Sequence, residues 1–418
     1  MEERIVPGVT SEIGKLETVI IHSPGPEVEN MTPGNAERAL YSDILNLSIA
    51  RKEYSELEQV LRKYASVFQV KDLLVETLEV QEAKESLTAQ ICEDENDCEL
   101  RDRLLEKSPR ELAGLLIEGV VIDNNTLTRF LSRERYSLPP LHNFFFVRDA
   151  AIVMPGSVFI SRMANRIRER EALIMDTIFN YSNRFSTEII RTMNRNPAAT
   201  IEGGDVLIAR EDVLLIGNSA RTSSQGIDFV LDIIKKQNNG KKHIIAQELP
   251  GTPESFIHLD MVFTILDRDC CMVYEPVIYR SSKYQTVSIT IENKRVSSIR
   301  EERNIPEALS KLGIDLKPVY CGGRSDPWVQ EREQWHSGTN FFALEPGKII
   351  GYERNNYTID EMSRNGFEVI RAADIISGNA DLKNYKKVLV TLEGSELPRG
   401  GGGPRCMTLP VKRKPADL

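Results

Sequence analysis

Ile152-Val153-Met154-Pro155-Gly156-Ser157-Val158-Phe159-Ile160 is the stretch on which the fold turns. Two short apolar, β-branched runs flank a Pro-Gly pair, which reads as a tight hairpin. A basic helix follows from about Asn165. The same order returns twice. Val206 to Ala209 passes through Arg210-Glu211 to Val213–Ile216, then to Arg221 and a helix. Phe341 to Leu344 passes through Pro346-Gly347 to Ile349-Ile350, then to Arg354 and a helix start near Thr358. Each unit is a hairpin, a polar segment and a helix. Their spacing is irregular, but repeated α/β units set around an axis would converge their strand ends on one central site.

Outward from these units, Thr18 to His22 reads as a strand ended by Ser23-Pro24-Gly25, and Val67 to Val70 as another. Between them, about Ala36 to Lys63 carries Leu40, Ile44 and Leu47 at helical spacing. Residues 76–137 differ from the rest. They are helix-rich, with no strand run before Gly119, and Ser108-Pro109-Arg110-Glu111 is a capping box with Pro at the first helical position. Leu112, Leu115 and Leu116 continue as an apolar stripe. This segment is expected to be a helical insertion of structural role, with a lid or an oligomer contact as the lesser alternative. Length alone, at ~150 residues per domain, points to roughly three domains; the pattern instead predicts one catalytic domain over residues 1–418.

The 418 residues are 41% apolar and 28% charged, an ordinary globular balance that excludes disordered and collagen-like chains. No apolar run reaches the ~18 residues of a membrane span, and Met1-Glu2-Glu3-Arg4 does not open a signal peptide. A cytoplasmic protein with no membrane partner is expected. The net charge of −9 argues against a nucleic-acid partner and fits, weakly, a cationic substrate. Six scattered cysteines form no CxxC pair, so neither a zinc ribbon nor a disulfide framework is expected.

Four stretches carry candidate chemistry. Pro398-Arg399-Gly400-Gly401-Gly402-Gly403-Pro404-Arg405-Cys406-Met407 reads most simply as a flexible tail, yet Met407 and Leu409 alternate after the cysteine like a strand returning to the body. Glycines let backbone approach a ligand closely, but Cys406 alone is more often a small buried hydrophobe than a nucleophile. Phe256 to Phe263, if a strand, puts His258 and Asp260 on one face; His-x-Asp is also a metal-ligand spacing. Ile201-Glu202-Gly203-Gly204-Asp205 is a loop entering a hairpin, with Glu202 facing a site in the functional reading. In Leu141-His142-Asn143-Phe144-Phe145-Phe146-Val147-Arg148-Asp149, three Phe indicate burial, so Arg148 and Asp149 form a structural ion pair or Asp149 receives a cation. Arg168 and Arg221, each placed after a strand run, are either solvated or able to fork onto a carboxylate. Together these offer a nucleophile, a base, carboxylates for a planar cation and arginines for a carboxylate. That set describes a ligand such as free arginine.

In these motifs, taken in order, the chain resembles the arginine deiminase family of the guanidine-modifying superfamily. The matching stretches are Ser11–Leu16, Met31–Asn35, Phe146–Asp149, Glu202–Asp205, Gly217–Thr222, His258–Asp260, Arg332–Trp335 with Gly338–Asn340, and Gly402–Met407. The resemblance implies an α/β fold, a five-bladed α/β-propeller (pentein) of ββαβ-type units with a helical insertion. It implies hydrolysis of L-arginine to L-citrulline and ammonia through a covalent S-alkylthiouronium on Cys406. His258 would act as acid and then base, Glu202 would orient it, and Asp149 and Asp260 would hold the guanidinium. Asn143, Arg168 and Arg221 would take the α-carboxylate, with Leu40 and Gly400 as further substrate contacts. No metal or organic cofactor is implied, and a homo-oligomer is expected.

The chain departs from the family pattern at Val147, where Thr is usual. It departs at His336-Ser337, where an Asp commonly precedes the Gly-Thr-Asn motif, and at Gly401, where many members carry an arginine. Those departures bear on substrate affinity and choice. Three other readings stand beside the hydrolase: an amidinotransferase passing the amidino group to an amine, a non-catalytic guanidine binder, and a metallohydrolase on His258, Asp260 and Glu202. The single histidine makes the last a thin ligand set.

Overall fold

The computed structural model describes residues 4–32, 43–95, 98–123, 126–131, 135–192, 198–237, 240–279 and 283–416. Among these, the strands form five sheets of three or more strands and one two-stranded ribbon. The five sheets share one plan: an antiparallel pair, with a further strand parallel to one member.

Ala151–Met154 pairs antiparallel with Ser157–Ile160 across the Pro155-Gly156 turn. The chain then crosses through helix Glu169–Tyr181 to Glu188–Arg191, which lies parallel to Ser157–Ile160. Val206–Arg210 and Val213–Asn218 repeat the hairpin, and helix Ser224–Lys236 leads to the parallel strand Lys242–Glu248. The third predicted unit is Phe342–Glu345 with Lys348–Tyr352, followed by helix Asn356–Arg364 and the parallel strand Val388–Leu392.

The structure adds two units that local pattern does not announce. Phe263–Asp267 pairs with Cys270–Val273, whose parallel partner Lys317–Tyr320 comes only after an intervening hairpin, Thr286–Glu292 and Arg295–Glu302, which extends the neighbouring sheet. The last unit joins the two ends of the chain: Leu409–Arg413 runs antiparallel to Leu16–Ile21, which is parallel to Ser66–Gln69 across helix Leu47–Tyr64. The middle strands Ser157–Ile160, Cys270–Val273 and Val388–Leu392 are buried along their whole length. That is why they read as unbroken apolar runs rather than alternating ones.

The helix expected from Ala36 starts at Leu47, where the Asn46 side chain accepts from the Ser48 and Ile49 amides; residues 33–42, and with them Leu40, lie outside the described residues. After helix Val70–Thr77, residues 76–137 hold Gln81–Glu95, Cys98–Leu105, Pro109–Glu118 and Leu127–Leu131, plus the ribbon Val120–Val121 with Tyr136–Leu138. Ser108 and Glu111 make the reciprocal capping box. Leu74, Leu87, Ile91, Leu112 and Leu116 pack into the same apolar cluster as Phe159 and Ile174, so these helices share a core with the neighbouring sheet unit. No helix among the described residues is long and apolar enough to cross a membrane.

One local feature positions the site. A short turn precedes the first strand of each hairpin: Val147–Ala150, Gly203–Asp205 and Leu259–Met261 as single 3-10 turns, a turn closed by Asn340 N–H to Ser337 O at 3.0 Å, and the turn Gly403–Thr408. Each carries polar side chains that the sheets behind it hold in place.

Candidate active site

Cys406 sits in the last of these turns, buried, with Sγ lining a pocket. The glycine run that leads to it is packed, not loose. A Cβ on Gly402 would lie 2.5 Å from the Phe146 ring, and one on Gly403 would lie 2.6 Å from Asn340 Oδ1. Arg405, 1% exposed, anchors the turn: Nε donates to Glu12 Oε2 at 2.9 Å, Nη1 to Asp260 Oδ2 at 2.8 Å and Nη2 to Val206 O at 2.8 Å. Asp260 Oδ2 is also 3.6 Å from Cys406 Sγ. Burial, then the Asp260 and Asp149 carboxylates, push the thiol well above the usual cysteine range.

The expected strand through His258 and Asp260 is not formed. The chain makes a 3-10 turn at Leu259–Met261, and the strand starts at Phe263. The reason is local: Asp205 Oδ1 accepts from Leu259 N–H at 2.9 Å, which bends the backbone away from a ladder. Both side chains nevertheless serve one region. His258 Nε2 lies 3.0 Å from Glu202 Oε2, and Nδ1 lies 3.6 Å from Asp149 Oδ1. Burial opposes a charge on this imidazole, but Asp149, Glu202 and Asp205 outweigh it and raise its pKa to about 9. Burial likewise opposes the Glu202 carboxylate, and the His258 hydrogen bond with the Arg168 and Arg221 charges lowers its pKa to about 2. The pair is therefore imidazolium and carboxylate at neutral pH. A Cβ on Gly204 would fall 2.5 Å from His258 Nδ1, so only glycine fits beneath the ring.

Arg148 and Asp149 are not an ion pair. Successive residues of a 3-10 turn point apart: Arg148 Nε donates to Arg405 O at 3.2 Å, while Asp149 Oδ2 accepts from Arg168 Nη1 at 2.8 Å. Arg168 also donates through Nε and Nη2 to Glu171, so its N–H groups are engaged inside the protein. The pocket is lined by Asn143, Asp149, Arg168, Arg221, His258 and Cys406, together with Phe146, Ile257, Trp335 and the run Pro398 to Gly402. Gly400 and Gly401 both face it, Gly401 at φ +85°. Glu202 and Asp260 are fully buried, and Asp260 reaches within 3.6 Å of the lining Cys406 Sγ. Val147 is buried in its turn, away from the pocket lining. Arg399, at the rim, is paired with Asp43 at 2.5 Å and Glu396 at 3.0 Å.

Two residues of the site stand in the matching stretches but have no role assigned from the sequence. Arg405, in Gly402–Met407, is one. Asn340 is the other: its Nδ2 lies 3.2 Å from Cys406 Sγ, and its Oδ1 accepts from the Arg405 and Cys406 amides at 3.0 and 3.3 Å.

Asp149, Glu202 and His258 bring one possible ligand atom each within 4.8 Å of one another. This set does not fit a metal ion. Arg168 Nη1 already lies 2.8 Å from Asp149 Oδ2 and 3.8 Å from Glu202 Oε2, a permanent cation where a metal would stand.

The fold is that of the amidinotransferase-type α/β proteins. The structure superposes on SxtG, an amidinotransferase from Microseira wollei, with a TM-score of 0.55 at 14% identity, covering 99% of this chain and 98% of that one. The substrate-bound N-terminal domain of ArgZ, a cyanobacterial arginine dihydrolase, gives 0.52 at 13% identity over 95% and 98%. Within that class, the arginine deiminase family model matches residues 37–413. The arginine deiminases of Streptococcus agalactiae serotype V and Streptococcus pneumoniae serotype 19F are 32% and 31% identical, each over 97% of this chain and 98% of theirs. The chain belongs to the arginine deiminase family.

Proposed function

We propose that this protein hydrolyses L-arginine to L-citrulline and ammonia, with Cys406 as nucleophile, in one catalytic domain whose five sheets are the blades of an α/β-propeller carrying residues 76–137 as an insertion. The common plan of the five sheets supports the architecture. One observation carries the chemistry. Asp149 Oδ1 and Asp260 Oδ1 are buried carboxylate oxygens with no hydrogen-bond partner, and both carboxylates are close enough to Cys406 to oppose its ionisation. Unsatisfied buried acceptors are costly. A planar cation with several N–H donors, held between them, satisfies both and cancels the charge that keeps sulfur protonated.

With a guanidinium there, the thiol gives its proton to solvent and Sγ attacks the guanidinium carbon, giving a tetrahedral adduct. Imidazolium His258 passes its proton to the departing nitrogen, and ammonia leaves. The S-alkylthiouronium remains on Cys406. His258, now neutral, takes a proton from water, whose oxygen adds to the same carbon. Expulsion of the sulfur, with the adduct's hydroxyl proton returning to it, yields citrulline and free enzyme. Glu202 stays ionised throughout and holds the ring. Arg221 and Asn143, which line the pocket, take the α-carboxylate in this reading, while Arg168 contributes charge with its N–H groups already bonded.

The His258 pKa sets the alkaline limit. The imidazolium is present below about 9, so kcat falls as pH rises through that value. Glu202→Gln removes the charge that helps hold the proton; its alkaline limb moves toward the ordinary histidine range and kcat at neutral pH drops by about 10²-fold or more. A pH–rate profile of the two proteins checks this.

Product analysis with L-arginine or agmatine, each with and without ornithine or glycine, tests the reading itself. Expected is citrulline with equimolar ammonia from L-arginine, unaffected by either amine. An amidinated amine without ammonia would replace hydrolysis by transfer. EDTA leaves the rate unchanged and iodoacetamide abolishes it; the reverse pattern would return the site to metal chemistry.

A further inference from the structure

The five turns that precede the hairpins supply the site in rotation: Asp149 from the first, Glu202 and Asp205 from the second, His258 and Asp260 from the third, Cys406 from the last. The fourth, Ser337 to Asn340, has no assigned part. The residue it presents, just ahead of strand Phe342–Glu345, is Asn340, 1% exposed. We propose that Asn340 is a catalytic residue of this site, whose side-chain amide donates a hydrogen bond to the Cys406 sulfur and stabilises it as the attacking thiolate. This rests on the reading of Cys406 as nucleophile.

The amide has one orientation open to it. Its Oδ1 accepts from two successive backbone amides, Arg405 and Cys406. That fixes Nδ2 as the group facing Sγ at 3.2 Å, with Asp260 O also 3.2 Å away. A Cβ at Gly403 would collide with this side chain, so the glycine exists to let it in. The charged groups around Sγ are Asp260 and Asp149, which oppose a thiolate, and Arg405, which favours one; protonated His258 shares the pocket. Arg405 is bonded to Glu12 and Asp260, so it offers no N–H to sulfur. Among the described residues, Asn340 is the one side-chain donor hydrogen-bonded to it. The bond strengthens as sulfur gains charge, and it survives after the guanidinium has been consumed, when Cys406 must leave the second tetrahedral adduct as a thiolate.

The test uses the full chain without substrate. Cys406 alkylation by iodoacetamide is followed against pH in the parent, Asn340→Ala and Asn340→Asp proteins, with thermal unfolding of each as the folding control. Asn340→Asp keeps the acceptor for the two backbone amides and loses the donor, so it holds the turn if Asn340→Ala does not. Expected is an alkylation profile displaced to higher pH, by about one unit or more for Ala and further for Asp. With it goes a loss of kcat of about 10- to 100-fold, the range for a hydrogen bond to an ionised group, with KM for L-arginine within about threefold. A folded variant whose alkylation profile superimposes on the parent's overturns the proposal, even if turnover has fallen. A displaced profile in a parent protein that yields no citrulline would sustain the thiolate contact and remove the arginine reading instead.

Discussion

Cys406→Ala releases no citrulline from L-arginine, a loss of at least ~10⁴-fold, while its unfolding midpoint stays close to the parent's. The two halves of this expectation come from different parts of the structure. Without Sγ there is no thiolate to hold the amidino carbon while ammonia leaves, and Cys406 is the one cysteine among the described residues that line the pocket. The fold does not depend on the thiol. The turn is held by Arg405, by the Asn340 amide and by backbone hydrogen bonds from Met407 to Gly403 and Thr408 to Arg405. Alanine keeps every one of these. Assayed beside the parent, a variant that unfolds cooperatively at the parent's midpoint and makes no product separates loss of chemistry from loss of structure.

Arg405→Met gives the largest loss of stability, about 3–5 kcal/mol in denaturant unfolding. Arg405 is buried between Glu12 and Asp260, and methionine fills similar space without the charge. Two buried carboxylates are then left without their cation. The pH dependence identifies the cause. Burial alone would raise the Glu12 pKa, but the Arg405, Arg148 and Arg413 charges overcome it and lower it from 4.5 to about 2. A carboxyl with a depressed folded pKa contributes stability that is complete above its unfolded value and lost as pH falls through the folded one. The parent therefore loses this contribution between about 4.5 and 2. In Arg405→Met that window flattens, and the difference between the two proteins shrinks as pH falls. A difference that stays constant down to low pH would assign the loss to packing instead.

The fold was legible where a whole unit is local. The hairpins at 151–160, 206–218 and 342–352 each carry β-branched runs around a short turn, and each leads to its helix. The unit at 263–273 has Arg268-Asp269 at its turn and no Gly-Pro signal, and its third strand lies beyond an inserted hairpin. The unit made from both chain ends has no local pattern, because its partners are Leu16–Ile21 and Leu409–Arg413. Those pairings are set by tertiary packing of buried strands, which periodicity within a window cannot contain.

The site shows the same division. Glu202 and His258 were found because glycines and a rare histidine mark them, and the structure brings them to 3.0 Å. Of the two readings of Arg148 and Asp149, the ion pair fails because adjacency in sequence says nothing of direction in a 3-10 turn. Asn340 stands in the matching stretch Gly338–Asn340, but one amide in a polar loop carries no role by itself. Its signal was positional: it precedes the Phe342 strand as Asp149 precedes the Ala151 strand and Cys406 precedes the Leu409 strand.

The most direct test of the central claim is the intact mass of the enzyme, acid-quenched while it turns over L-arginine. The account predicts a transient species heavier than the free enzyme by arginine less ammonia, mapped by peptide digestion to Cys406 and absent from Cys406→Ala. Citrulline produced at full rate with no adduct at any quench time, or with the adduct on another residue, would contradict it.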